Sequence, residues 1–543
     1  MNRSALTIAL VASAAVATSA LARFSDAPSA AALKAHTVFL AHDLLEGRDT
    51  GSRGYDIAAQ YVASNFLQAG LEPAGTEQWL QPVPLRRRSL EAIAFDLKLA
   101  DETIALANGD TVAIDASPRS REERLDLPLV FAGWGITAPE LGFDDYAGLD
   151  VSGKAVVVIE GAPASMAGAL RAHYSWVQQK ERMAAAAGAA AIVTIKSPAR
   201  ERFSPWSLTR QFRPLPAVHW RANGAEHIPA VQATISLSPH MASRLFASAN
   251  LDLARIYNEA DANPPRGFAF NARIALERRS RHEDTSSPNV IGRIAGSDPA
   301  LRNEHVVVLA HLDHVGVGKP VNGDSIYNGA IDNAGGVAVL LEAARLLRAA
   351  KPKRSILFVA TTGEEKGLIG ADYFATFPTV ERSSIVAAIS VDGLMAWHDY
   401  TDIVALGADH STLGVASAIA AAATGARHVP DPIPERGNLA LSDQYPFLRL
   451  GIPVLFPNPG PRDAKTGLAE HPAWTAYEQN SYHKPSDEAS LPIRWDVAAR
   501  WARYITLTIE NAANGPRPAW YAGDPLAKGF APGAKTVPRR GER

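Results

Sequence analysis

From about residue 288 onward the chain repeats one texture, a short unbroken apolar run followed by a helical segment and then another apolar run. Val306-Val307-Val308-Leu309, Ile356-Leu357-Phe358-Val359 and Ile385-Val386-Ala387-Ala388-Ile389 are such runs, and Gly335 to Arg348 carries helical periodicity between the first two. A strand with no polar alternation has two faces to cover, and helices alternating with it along the chain supply that cover. The pattern predicts an α/β fold built on a doubly wound, mainly parallel sheet.

The rest of the chain is organised around that block. At 543 residues it is too long for one domain. Residues 1–22 read as a signal peptide: Arg3, a small apolar stretch from Ala5 to Ala17, and Ala20-Leu21-Ala22 as a cleavage site. Export, periplasmic or secreted, is the expectation, with no stable membrane insertion once the leader is removed. Residues 23–89 contain two helical segments, over 33–70, separated by a loop at Gly47 to Ser52, and belong with the main block of 266–513. Between them, 90–265 switches to short β-type runs with one helix at Lys180 to Gly188, the texture of a separate inserted β-rich module. The Pro-, Gly- and Arg-rich tail of 514–543 is expected to wrap loosely over the surface or remain disordered, with Trp520 and Tyr521 as its large anchors.

Charge and cysteine content narrow the chemistry. Lys and Arg number 54 against 56 Asp and Glu, so no global field exists to collect nucleic acid. With no cysteine in the chain, thiolate ligands and a cysteine nucleophile are excluded, and any metal must be held by nitrogen and oxygen. The oligomeric state is left open.

Ionisable residues sit where the predicted strands end. His311 and Asp313 follow the run ending at 310, Glu364 and Glu365 follow the one ending at 361, and Asp392 closes the run ending at 391. In an open α/β sheet the crevice beyond the carboxyl ends of the strands is where sites form, so these side chains converge although distant in sequence. Asp332, in the turn before the Gly335 helix, and His483, on a loop before the last helix, can reach the same place. A lone His-x-Asp is ordinarily a surface pair and Glu-Glu after a strand a solvated turn; together at successive strand ends they form an N/O set suited to zinc. Two divalent cations bring about +4 against about −4 from three carboxylates and a hydroxide, which favours a pair of ions over one.

The segments HLDHVG (311–316), NGAIDNAGG (328–336), TGEEKGLIG (362–370), VDG (391–393), SDQYPF (442–447) and SYHKPSDE (481–488) resemble the co-catalytic zinc aminopeptidases of metallopeptidase family 28. The resemblance extends to FLAHDLLEGRDTGSRG (39–54), and AGWGI (132–136), DYAGLDVSGKAVVV (145–158) and KERMAAAAGAAAIVTI (180–195) resemble an inserted protease-associated domain. It implies a metallo-exopeptidase with two zinc ions per chain that acts on peptides. Asp332 would bridge the ions, His311 and Asp392 completing one and Glu365 and His483 the other. Glu364 would be the general base for a metal-bridging water, Asp313 would orient His311 through its second ring nitrogen, and Tyr482 would donate to the developing oxyanion. His314 is expected to be a rim histidine or one that touches a ligand, and not a ligand itself. Where many relatives carry Arg-Ser-Asp-His this chain has Leu441-Ser442-Asp443-Gln444, so a substrate contact is lost or supplied elsewhere, by a residue such as Arg436. A carboxypeptidase or dipeptidase on the same site, with Arg436 or Arg449 holding the substrate carboxylate, is the alternative; a silent protein-binding receptor would be expected to have lost ligands that are all present here.

Overall fold

The computed structural model describes residues 27–166, 168–212, 215–261, 265–467 and 471–539. The leader read at 1–22 lies outside them. The described residues form two units, one running through Pro82 and comprising Ser287–Asp431 and Ser442 onward, the other comprising Val83–Ser286 and Pro432–Leu441. The second is wider than the 90–265 module expected, and it also takes a short turn from far along the sequence.

In the first unit, α1 (Ala30–Leu40) and α2 (Arg53–Gln68) begin on serine caps, the Ser29 and Ser52 hydroxyls accepting from the backbone N–H groups of Ala32 and Tyr55. The interval between them, expected as a plain loop, holds a 3-10 turn at Asp43–Arg48. The sheet is made by the end of β1 (Phe268–Ile294) with β2 (His305–His311), β3 (Ser355–Thr361), β4 (Ile385–Ser390), β5 (Asp402–Leu406) and β6 (Val454–Pro459), in spatial order β1-β3-β2-β4-β6-β5. β3, β2, β4 and β6 are mutually parallel, and β1 and β5 pair antiparallel at either side, as the alternating texture predicts.

Every residue of β2, β3 and β4 is buried. α3 (Gly335–Ala350) runs beside β2 and packs with α1 and with α4 (Trp495–Asn514). Their apolar faces form one core with Val306, Val308, Phe358 and Ile389 from the strands. Each such side chain contributes about 1.5–3 kcal/mol on burial, enough collectively to fix strand register and hence where each strand stops. The chain leaves β2 for β3 on one side and then crosses to β4 on the other, so the order reverses beyond the carboxyl end of β2. That reversal opens the crevice where His311 sits.

In the second unit the strands run in the order 268–279, 122–131, 155–159, 191–195, 233–237 and 112–114, the first of them being the beginning of β1. Its three central pairings are parallel, and the helix expected at Lys180 to Gly188 spans Val177–Ala186. It is therefore mixed α/β in its centre. Among the described residues no helix is long and apolar enough to cross a membrane.

The tail differs from the expectation of a loose wrap. Trp520 is buried, its indole N–H donates to the Gly451 carbonyl at 2.8 Å, and Val537 donates back to Trp520 at 3.0 Å. A helix at Pro525–Phe530, capped by Asp524, buries Leu526, and Arg539 reaches Asp524 at 3.2 Å. Single apolar anchors in a polar segment can dock it when their N–H groups also find acceptors. Trp520→Ala is expected to cost about 3 kcal/mol, measured as a lower denaturant midpoint together with faster protease cleavage between residues 515 and 530.

Candidate functional site

β2, β3 and β4 end side by side, so residues one to four positions past each strand share one volume. His311, the last residue of β2, has its Nε2 3.1 Å from Asp332 Oδ1 and 3.2 Å from Asp392 Oδ1. His483 has its Nε2 3.1 Å from Asp332 Oδ2 and 3.2 Å from Glu365 Oε2. Asp332 thus turns one oxygen to each of two His–carboxylate pairs. The structure brings all five residues together, and Glu364 beside the first pair, with one ligand atom each of His311, Glu364 and Asp392 within 4.8 Å of one another.

The backbone around this cluster is held by buried polar side chains. Asp487 accepts from the N–H groups of Ile331 at 3.0 Å and Asp332 at 3.1 Å, and from the Tyr477 hydroxyl at 3.1 Å. Asn333 donates to the Val391 carbonyl and accepts from Gly393 N–H, both at 3.0 Å, which ties the Asp332 turn to the Asp392 turn. Arg48, 1% exposed, donates to the carbonyls of Leu312 at 2.9 Å, Asn328 at 2.7 Å and Gly329 at 3.1 Å, and to Leu40. Burial draws the Arg48 guanidinium down to about 10, with Asp313, Asp487, Asp332 and Glu365 opposing the fall. It is a fixed cation behind the carboxylates.

Asp313 has a different job from the one expected. The Asp313 backbone carbonyl, not its carboxylate, meets His311 Nδ1, at 3.0 Å. The carboxylate instead accepts from the backbone N–H groups of Glu364 at 3.1 Å and Glu365 at 3.3 Å and from the Thr50 hydroxyl at 3.3 Å. The reason lies in the register, since a residue two past the end of β2 lies next to the turn after β3. His314 is fully buried and so is no rim residue; its Nδ1 lies 2.6 Å from Glu365 Oε1. The Tyr482 ring stacks on that of His483, centroids 4.0 Å apart. Arg449 is paired with Asp372, and Arg436 belongs to the second unit, where its carbonyl accepts from Arg200 at 3.1 Å.

Asp487, Asn333, Arg48 and Asp443 were not read as site residues. Their types carry no signal alone, yet Arg48, Asn333 and Asp487 lie inside segments already singled out, as does Asp443, which is buried against Thr361. A polar residue inside an otherwise functional segment was the available sign.

The donor chemistry fits a pair of divalent cations. A carbonyl only accepts, so His311 Nδ1 carries the hydrogen and its Nε2 lone pair faces two carboxylates. Imidazole nitrogen and carboxylate oxygen without sulfur is a zinc set, and the two oxygens of Asp332 provide a place in each half. Without cations the carboxylates are strained electrostatically. Burial pushes Glu364 well above the usual carboxylate range, and Asp392, Glu365 and Asp443 add to that rise while His311 opposes it. Burial also acts upward on Asp332, but His311 and His483, which are protonated and donate to it when no cation takes their Nε2 lone pairs, hold it well below.

A model of Peptidase family M28 matches residues 289–509. The alkaline phosphatase isozyme conversion protein of Escherichia coli (strain K12) is 31% identical over 136 residues, 23% of this chain and 38% of that protein. A probable zinc metalloprotease of Pyrenophora teres f. teres (strain 0-1) is 41% identical over 103 residues, 19% of this chain and 22% of that one. Aminopeptidase NAALADL1 of Mus musculus is 32% identical over 136 residues, 24% of this chain and 16% of that one. The chain spans less than half the length of each of these relatives. Among solved structures, an aminopeptidase from Aneurinibacillus sp. strain AM-1 aligns with a TM-score of 0.53 at 17% identity, covering 91% of this chain and 96% of that one, a likeness of fold.

Burial pushes the carboxyls of Asp313 to about 6, Asp443 to about 7 and Asp487 to about 6. A carboxyl whose folded value is raised binds its proton more tightly when folded, so its stabilising contribution is complete below about pH 4 and is lost as pH rises through about 7. In chelator, the thermal unfolding midpoint is expected to fall between about pH 5 and pH 8, and excess zinc is expected to reduce that fall.

Proposed function

We propose, from the match of residues 289–509 to a model of Peptidase family M28, that the protein is an exported, zinc-dependent aminopeptidase that removes N-terminal residues from peptides. The observation that carries the reading is Asp332 facing His311 with one oxygen and His483 with the other. Two ions would be held, one by His311, Asp392 and Asp332, the other by His483, Glu365 and Asp332. Zinc in such a site supplies a Lewis acid for the scissile carbonyl and lowers the pKa of water toward neutrality.

The chain's own residues do the remaining work. Glu364, beside His311 and Asp392, takes the proton of the attacking water and passes it to the leaving amine. Asp313 holds the Glu364 and Glu365 backbone in place, so the general base sits on a turn fixed from the neighbouring strand. Tyr482, braced on His483, is assigned as donor to the developing oxyanion. The engagement of Arg449 with Asp372 weighs against its serving as the carboxylate anchor that a carboxypeptidase needs. Export rests on the leader read at 1–22, with a periplasmic or secreted destination. The separately packed unit at 83–286 supports the reading of an inserted protease-associated domain.

Two measurements test this. Matched dipeptides with free and acetylated N-termini should be cleaved only when the amine is free, with activity lost in chelator and regained with zinc; cleavage of the acetylated set would overturn the aminopeptidase assignment. Glu364→Gln should retain its zinc and lose about a hundred- to ten-thousand-fold in kcat, and an unchanged kcat would remove Glu364 from its role.

A further inference from the structure

We infer that His314 is a positioning residue that fixes Glu365 for the second cation, an inference that rests on the two-ion reading above. Glu365 presents its two oxygens to different imidazoles, Oε2 to His483 Nε2 at 3.2 Å and Oε1 to His314 Nδ1 at 2.6 Å. His314 thus approaches one oxygen of this carboxylate, while Oε2 lies in the half of the site it shares with His483 and Asp332.

The imidazole of His314 is itself immobilised. It is fully buried, its ring lies edge-on to that of His483 with centroids 5.7 Å apart, and its backbone N–H donates to the Arg48 carbonyl at 3.3 Å. Its other face is set by Gly329, where an added Cβ would come within 2.5 Å of the His314 ring and 2.2 Å of the Asp332 carbonyl oxygen. Gly329 also adopts φ of +59°, so two requirements converge on glycine there. The same turn leads into Asp332, so one packed contact sets the Glu365 carboxylate against the turn that carries the bridging aspartate. His314 lies within 4.8 Å of ligand atoms of both Asp332 and Glu365. On the 2.6 Å approach of its Nδ1 to Glu365 Oε1, His314 is assigned as a partner of that ligand and not as a ligand. Groups that orient metal-bound side chains are typically worth about ten- to a hundred-fold in metal affinity.

The test is equilibrium zinc binding by the full-length protein, in competition with a chromophoric chelator, for wild type, His314→Leu, His314→Gln, Glu365→Gln and the double variant His314→Leu/Glu365→Gln. Wild type is expected to bind two ions. His314→Leu should weaken the second by about ten- to a hundred-fold and leave the first unchanged, and His314→Gln, which keeps a donor, should recover part of the loss. In the Glu365→Gln background His314→Leu should have no further effect on zinc binding, because it acts through that carboxylate. Unchanged affinity in both His314 variants would overturn the inference while leaving the two-ion site standing. Equal loss of both ions would overturn it too, as would a full effect of His314→Leu without Glu365. Wild-type protein that binds fewer than two ions would overturn the two-ion reading and this inference with it.

Discussion

Carboxylates gathered in a buried crevice repel one another and lose their hydration, and the arrangement around His311 is shaped by that cost. Asp332, Glu364, Glu365 and Asp392 share one volume with only imidazoles between them, and Arg48 lies behind as a fixed positive charge. Interactions of this kind are large where water is excluded, and removing one partner leaves the others uncompensated. Cations among the carboxylates reverse the sign of the problem. The same side chains that would push the turns apart then draw them together, which is why binding and folding are coupled in such a site.

Much of this was legible along the chain because strands buried on both faces have a distinctive texture. Ionisable residues at or just past the strand ends belonged to the crevice, as His311, Glu364, Glu365 and Asp392 do. What could not be read was which atom of a residue acts. Asp313 stands two places from His311, and sequence spacing is equally compatible with its carboxylate or its carbonyl reaching the ring; the parallel register of β2 and β3 decides for the carbonyl. His314 was similarly ambiguous, since its burial depends on tertiary packing that sequence spacing does not carry. The tail misled for another reason. Its Pro and Arg content resembles that of disordered segments, yet Trp520, one of the two anchors expected, is held by the Gly451 carbonyl, and Leu526 is buried as well.

The residues missed altogether share a chemistry. Arg48, Asn333 and Asp487 present their side chains to backbone groups, satisfying carbonyls and N–H groups in turns that have no ladder or helix to do so. Buried backbone without partners is costly, and irregular turns at the ends of strands always carry such groups. A cluster of ionisable side chains built on three turns therefore needs residues addressed to the main chain as well as those that face one another. These are not visible as ligand patterns, because their partners are the peptide groups common to every residue.

The position of the second unit in the sequence has a consequence for how the first is made. α1 and α2 are synthesised early, but Leu33, Leu40 and Phe66 are buried in a core shared with α3 and α4 and with strands that begin beyond residue 286. At ordinary elongation rates α3 leaves the ribosome roughly 15 to 60 s after α1. For that interval the amino-terminal helices carry an apolar face without the α3, α4 and strand partners that later cover it. The order of residues along the chain thus sets a waiting time for the first helices, and a delay of that length is an opening for chaperones or for misassociation.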